Sequence, residues 1–215
     1  PGRRILRFDI QRTNELLNGW DSCPDYGSSD GLIARVGDRS VDIIIGGPPC
    51  QAYSVAGRIR DEHGMQRDYR NYLFESYLQV VQYFQPKIVV FENVAGMLSA
   101  TPGGVPIVER ISHAFADAGY EIISDLGKTM VDMTDYGIPQ RRKRLIIVGL
   151  SRKIFRSNRQ ELLAAFYEKL LPAQKQPRKS VGDAIDHLSP FYPERVEKRV
   201  GGRRFSHGPT TSGVP

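Results

Sequence analysis

The sequence predicts an α/β fold, a mostly parallel sheet with helices on both faces. Three observations carry this. Largely apolar runs of strand length recur at Val41–Ile45, Ile88–Phe91 and Leu145–Val148, and parallel strands read as near-continuous apolar runs because both their faces are covered. An amphipathic helix, Tyr72–Phe84, separates the first two runs. Strand, helix, strand in that order makes a βαβ unit with a right-handed crossover.

Each element has its own signal. Ile5–Ile10 reads as a short strand that ends at Asp9. Gln11–Ser40 is polar and rich in Gly, Ser and Asp, which predicts a helix fragment around Asn14–Leu17 and then a loop. Val41–Ile45 is the central strand. Ala52–Asn71 carries Gly57 and Gly64 among many charges with little periodicity, the pattern of a mobile loop. In the helix that follows, Leu73, Tyr77, Val81 and Phe84 recur at steps of four and three. Pro86 stops it, and Ile88–Phe91 is the next buried strand. Val105–Ala118 places Ile107, Val108, Ile111 and Phe115 on one helical face, with Gly119 as cap. Strands are expected at Glu121–Ser124, around Lys128–Asp132 and at Leu145–Gly149. A third helix, Glu161–Leu171, stops before Pro172. Beyond it lie proline, glycine and basic residues, with a short helix at Val181–Leu188.

The 215 residues are 40% hydrophobic and 25% charged, ordinary for a globular chain. No apolar run is long enough to span a bilayer, and no signal-peptide pattern opens the sequence. The net charge of +6 is unevenly placed: residues 151–215 hold 13 Lys/Arg against 6 Asp/Glu, and residues 1–150 hold 17 against 18. A basic last third points to a polyanion partner. Two cysteines without regular spacing exclude a disulfide framework and a four-cysteine metal site, so no metal is expected. Cys23, in a polar stretch, reads as incidental. The cysteine usage fits a reducing, cytoplasmic setting.

Gly46-Gly47-Pro48-Pro49-Cys50-Gln51 follows the central strand. Two glycines allow a sharp turn and close approach of another group. Two prolines fix φ and remove two N–H donors. The result is a stiff elbow with one thiol at its tip, at the strand end where open α/β sheets bind ligands. A free cysteine is usually a small core hydrophobe, but a core filler does not need this elbow, so Cys50 is the candidate nucleophile. The βαβ unit would bring Glu92, at the end of Ile88–Phe91, to the same edge. Arg142 and Arg144 stand two apart on an extended segment, so alternation puts both on one face, where guanidinium forks suit a base carbonyl or phosphates.

Gly47–Ser54 (Gly-Pro-Pro-Cys-Gln-Ala-Tyr-Ser) resembles the nucleophile motif of the DNA (cytosine-5) methyltransferases. Phe91-Glu92-Asn93-Val94 resembles that family's Glu-Asn-Val motif, and Asp135–Arg144 its Gln-x-Arg-x-Arg motif, in the same order. The resemblance covers roughly residues 5–150. It implies a Rossmann-like S-adenosylmethionine-dependent methyltransferase fold, here lacking the first strands. It also implies methyl transfer from S-adenosylmethionine to C5 of a flipped-out cytosine in double-stranded DNA, through a covalent adduct of Cys50 with C6. Glu92, protonated if burial raises its pKa, would meet N3. Arg142 would polarise the base carbonyl and Arg144 support the site, roles the sequence leaves exchangeable. Gln51, Ser54, Asn93 and Gln140 would contact DNA or support the site. Asp9 and Ile10 would meet the adenine of the cofactor, with Pro49 and Leu73 beside it. Residues 1–150 would be a partial catalytic domain, and 151–215 a basic segment leading into a cut-short target-recognition region.

One departure from the family pattern matters. No Phe-x-Gly-x-Gly turn precedes Ile5, and the acid that would hold the ribose hydroxyls is missing with it. The sequence is therefore read as a fragment, one subunit of a split enzyme that needs a second polypeptide, or a diverged relative, with weak or no cofactor binding of its own. Two alternatives stand beside the enzyme: a non-catalytic DNA-binding or partner subunit, and an RNA cytosine-5 methyltransferase. A prokaryotic, nucleoid-associated role in restriction-modification is the expected context.

Overall fold

The computed structural model describes residues 5–49, 73–101 and 104–188, and the backbone of 198–200 and 203–205. Helix α1 (Thr13–Asn18) is followed by an antiparallel hairpin, β1 (Trp20–Cys23) with β2 (Gly27–Ser29), and by α2 (Gly31–Val36). The polar stretch expected to be loop therefore carries a hairpin and a second short helix. Residues 5–9 are not a strand, contrary to expectation. A strand needs a neighbour to satisfy its backbone, and these residues pair with none among those described. Rings hold the segment instead: Phe8 stacks on Trp20 at 3.9 Å and tilts against Tyr26 at 5.0 Å.

Strand β3 (Ile43–Gly46), helix α3 (Leu73–Phe84) and strand β4 (Ile88–Val94) form the expected unit, with β3 and β4 parallel. Helix α4 (Ile107–Asp117) leads to β5 (Tyr120–Ile122), and β6 (Met130–Asp132) precedes the long β7 (Lys143–Ser151). The sheet order is β3-β4-β7-β5, with β6 also on β7. This corrects the expectation of a mostly parallel sheet. The sheet is mixed: β7 runs antiparallel to β4, β5 and β6. The reason lies in the connections. The crossover through α4 leaves β5 running in the same sense as β4, but not beside it. The short return from β6 then feeds β7 into the gap in the opposite sense.

Val89 and Phe91 of β4 and Ile147 of β7 share one face with Val81 of α3 and Ile107, Ile111 and Phe115 of α4, all at 0% exposure. On the other face Val148 and Leu150 are buried, but Ile43 and Ile45 of β3 are 51% and 73% exposed. Helical cover on both faces thus fails at the β3 end. Helix α5 (Arg159–Ala165) continues into a π-helical turn at Phe166–Leu170. Its Tyr167 fills the stretch of the β7 edge between β5 and β6: the hydroxyl donates to Ile146 O and accepts from Val148 N, both at 2.8 Å. Leu163 and Tyr167 carry the core past residue 150. Helix α6 (Val181–Ile185) starts at a capping box between Ser180 and Asp183. A small hairpin pairs β8 (Lys198–Val200) with β9 (Arg203–Phe205). Among the described residues no helix is long and apolar enough to cross a membrane.

Candidate active site

Gly46 closes β3, and its neighbours explain why it is glycine. A Cβ there would lie 2.5 Å from Cε2 of Tyr77. A Cβ at Gly47 would lie 2.8 Å from Oε2 of Glu92. Neither glycine has a positive φ; space against the buried Tyr77 ring requires glycine at 46, and at 47 its absence of a Cβ leaves room for the Glu92 carboxyl. Successive residues of an extended chain face opposite sides. The elbow is accordingly gripped by the Tyr77 ring on one side and the Glu92 carboxyl on the other.

The register of β3 and β4 sets this up. Gly46 pairs with Phe91, which places Gly47 beside Glu92. The next residue on β4, Asn93, is 3% exposed and donates from Nδ2 to Pro48 O at 3.3 Å. Its Oδ1 accepts from Val94 N at 2.8 Å. Strand β4 therefore supplies both the carboxyl beside the elbow and an amide that holds the elbow's backbone.

Strand β7 brings the arginines. Val94 pairs with Arg144, and Arg142 lies just ahead of the strand. Arg144 Nε stands 2.9 Å from Glu92 Oε1, and Arg142 Nη2 stands 3.4 Å from the same oxygen. The Arg144 contact is an ion pair rather than a hydrogen bond: Nε is buried without an aligned acceptor, and Nη1 donates to Lys143 O at 2.8 Å. The Glu92 side chain keeps 34% of its surface exposed, so it is only partly buried, on an open edge. A carboxyl fenced by two guanidiniums, beside a glycine-lined backbone, suits a planar polar ring with donors and acceptors along its edge.

Gln140 is exposed, and its backbone N–H donates to Ile138 O at 2.8 Å. Asp9 makes a turn: its Oδ1 accepts from Gln11 N at 2.9 Å, and its carbonyl accepts from Arg12 N at 3.1 Å. Ile10 is partly buried against the core. Pro49 is exposed, whereas Leu73 is 7% exposed at the start of α3. Cys50, Gln51 and Ser54, and the expected loop Ala52–Asn71, lie outside the described residues.

Three features escaped the reading of the sequence. Tyr77 has its hydroxyl 3.2 Å from both Ile44 O and Val90 O, and burial pushes its pKa up. The only hint was a phenol on an otherwise apolar helical face. Asp135 accepts from Arg178 (2.6 and 2.9 Å) and from Lys175 (3.1 Å), which together hold its carboxyl below the usual range. Cys23, read as incidental, accepts from Arg12 at 3.6 Å, and that hydrogen bond lowers its thiol pKa.

The family described as C-5 cytosine-specific DNA methylase matches residues 28–195. The Type II methyltransferase M.Bpa9945I of Bacillus paralicheniformis is 46% identical over 119 residues, 54% of this chain and 26% of that protein. M.AquIA of Picosynechococcus, also a Type II methyltransferase, is 34% identical over 191 residues, 81% of this chain and 73% of that protein. Among solved structures, a prophage-encoded DNA modification methyltransferase from E. coli superposes with a TM-score of 0.53 at 25% identity, covering 78% of this chain and 40% of that one. The chain spans 26–34% of the length of the first three curated relatives it matches.

Proposed function

The chain belongs to the C-5 cytosine-specific DNA methylase family, and from that premise we propose that it carries the nucleophile half of a DNA cytosine-5 methyltransferase of the restriction-modification type. The observation that carries the reading is the Glu92 carboxyl, set against Gly47 and fenced by Arg142 and Arg144. Cytosine C5 is a poor nucleophile. The Cys50 thiolate adds to C6, breaking the C5–C6 π bond and moving its electron pair toward C5 and N3. Glu92 meets N3 and supplies the hydrogen bond or proton that the added charge needs. Arg142 faces the base carbonyl, and Arg144, the closer arginine, holds Glu92. Asn93 keeps the elbow in place through Pro48 O. The adduct leaves C5 enamine-like, able to accept the sulfonium methyl that S-adenosylmethionine supplies. A base inside a duplex is out of reach, so the cytosine is extruded first. The basic residues after 150 serve as phosphate contacts.

The residues proposed for the cofactor do not make its site on their own. One oxygen of Asp9 is committed to Gln11 N, and Leu73 is buried. A nucleoside with a ribose diol and an amino-acid tail needs more donors and acceptors than these offer. This favours a second reading, in which the chain works beside sequence or a second polypeptide that presents a glycine-rich turn.

The test is covalent trapping on a duplex that carries 2-pyrimidinone in place of cytosine, whose C6 adds a thiolate without any methyl donor. A complex that survives denaturation and is lost in Cys50→Ala is the expected result. DNA binding without any adduct would leave the non-catalytic subunit. An adduct on the corresponding RNA but not on DNA would move the substrate.

A further inference from the structure

We propose that Tyr77 is a positioning residue for this chemistry, setting the gap between the strand that delivers the Cys50 elbow and the strand that delivers Glu92; the inference rests on the reading above. The side chain is 4% exposed and lies on the face of α3 that meets the sheet. Its single hydroxyl lies 3.2 Å from two carbonyls, Ile44 O on β3 and Val90 O on β4. Each is two residues ahead of the position its strand contributes: Ile44 before Gly46, and Val90 before Glu92. One proton shared between two acceptors ties the strands together just short of the site. Burial keeps the phenol protonated, so the donor persists across the working pH range.

The ring does the second half. It occupies the volume that any side chain at position 46 would need, with Cε2 at 2.5 Å and Cδ2 at 2.7 Å from an ideal Cβ. On the opposite side, a Cβ at position 47 would come within 2.8 Å of Oε2 of Glu92. The elbow therefore starts between two fixed walls, one aromatic and one carboxylic. Other buried tyrosines also donate to a backbone carbonyl, as Tyr120 does to Pro86 O at 2.7 Å; Tyr77 differs in reaching carbonyls of two neighbouring strands and in lying against Gly46. Phe91, 5.8 Å away centroid to centroid, backs the ring from β4.

Tyr77→Phe keeps the ring and removes the tie. The experiment follows the rate of trapping on the 2-pyrimidinone duplex at saturating DNA, the half-saturating DNA concentration, the melting temperature, and amide hydrogen exchange across residues 43–49 and 88–94. The expected result is at least a tenfold slower trapping rate, half-saturation within twofold of the parent chain, and faster exchange confined to those two segments. Trapping within twofold of the parent, or a loss that only follows the folded fraction, overturns the inference. Gly46→Ala tests the ring: it should slow trapping by itself, and Tyr77→Leu, which also loses the tie, should cost at least tenfold less in the Gly46→Ala chain than in the parent. An equal cost of Tyr77→Leu in both chains overturns the steric half. If the parent chain does not trap, the proposed function has failed, and the exchange data still decide whether Tyr77 ties the two strands.

Discussion

A single missing methyl group does much of the shaping at the candidate site. Gly47 reads in the sequence as a turn residue, one that frees the backbone to bend. Its backbone does not use that freedom, since its φ is not positive. What it provides is room: a Cβ there would come within 2.8 Å of Oε2 of Glu92. Gly47→Ala is therefore expected to push the Glu92 carboxyl aside by roughly half an ångström. A full ångström of misplacement costs about 10²-fold in rate, so a smaller loss, on the order of tenfold, is expected here. The measurement is trapping on the 2-pyrimidinone duplex, with binding to ordinary duplex DNA as the control. Trapping that falls while binding holds is the predicted outcome, and equal trapping would mean that Glu92 can move without consequence. That Glu92, Arg142 and Arg144 could meet at one sheet edge was legible in their spacing, while Cys50 lies outside the described residues. The contacts that hold the three were not legible. Whether Asn93 reaches Pro48 O, or whether both arginines reach one oxygen of Glu92, depends on strand register, and a one-residue shift of register reverses every face.

At the scale of elements, periodicity told most of the story. Helices α3 and α4 and strands β3 and β7 fall where their apolar patterns put them, within a residue or two at the ends, and β4 starts where expected but runs three residues further, to Val94. The errors come from partners remote in sequence. Ile5–Ile10 has strand-like residues but no strand beside it among those described. The sense of β7 follows from the short return out of β6, which no apolar count reveals. Another remote partnership pins the segment after α5 to the site. Asp135, just ahead of Arg142 and Arg144, binds Lys175 and Arg178, and its carbonyl accepts from Gln176 N at 2.9 Å. Tyr136 and Gln176 add a parallel bridge. Arg178 and then Lys175 lower the pKa of Asp135. A carboxyl lowered in this way contributes to docking above its unfolded pKa, and the contribution is lost as the pH falls through the folded value. The segment is thus expected to stay docked at neutral pH and to release only in acid, below the ordinary aspartate range. Arg178 Nε–H resonances followed on acidification would report the release. Asp135→Asn should produce the same release at neutral pH, seen as faster tryptic cleavage at Lys175 and Arg178. Cleavage as slow as in the parent would mean that the Gln176 backbone contact holds the segment without the charges.

For the molecule as a whole, the two halves of the proposed reaction are unevenly represented. The nucleophile side is dense: an elbow, a carboxyl, two arginines and a buried amide converge from three strands. Among the described residues the cofactor side offers Asp9, with one oxygen already taken, Ile10 against the core, buried Leu73 and exposed Pro49. Binding a sulfonium nucleoside calls for several simultaneous hydrogen bonds, because each polar group left unpaired on transfer from water costs about 1–3 kcal/mol. This 215-residue chain is therefore expected to separate the two steps that a whole methyltransferase joins. It should form the Cys50 adduct with 2-pyrimidinone DNA, yet show no saturable heat when titrated with S-adenosylmethionine at micromolar concentrations. Adding a polypeptide that presents a glycine-rich turn ahead of Ile5, in cis or in trans, should restore both cofactor binding and methyl transfer to DNA. Tight binding by the chain alone would show that the donors needed lie within its own 215 residues, and the division between the two halves would fall.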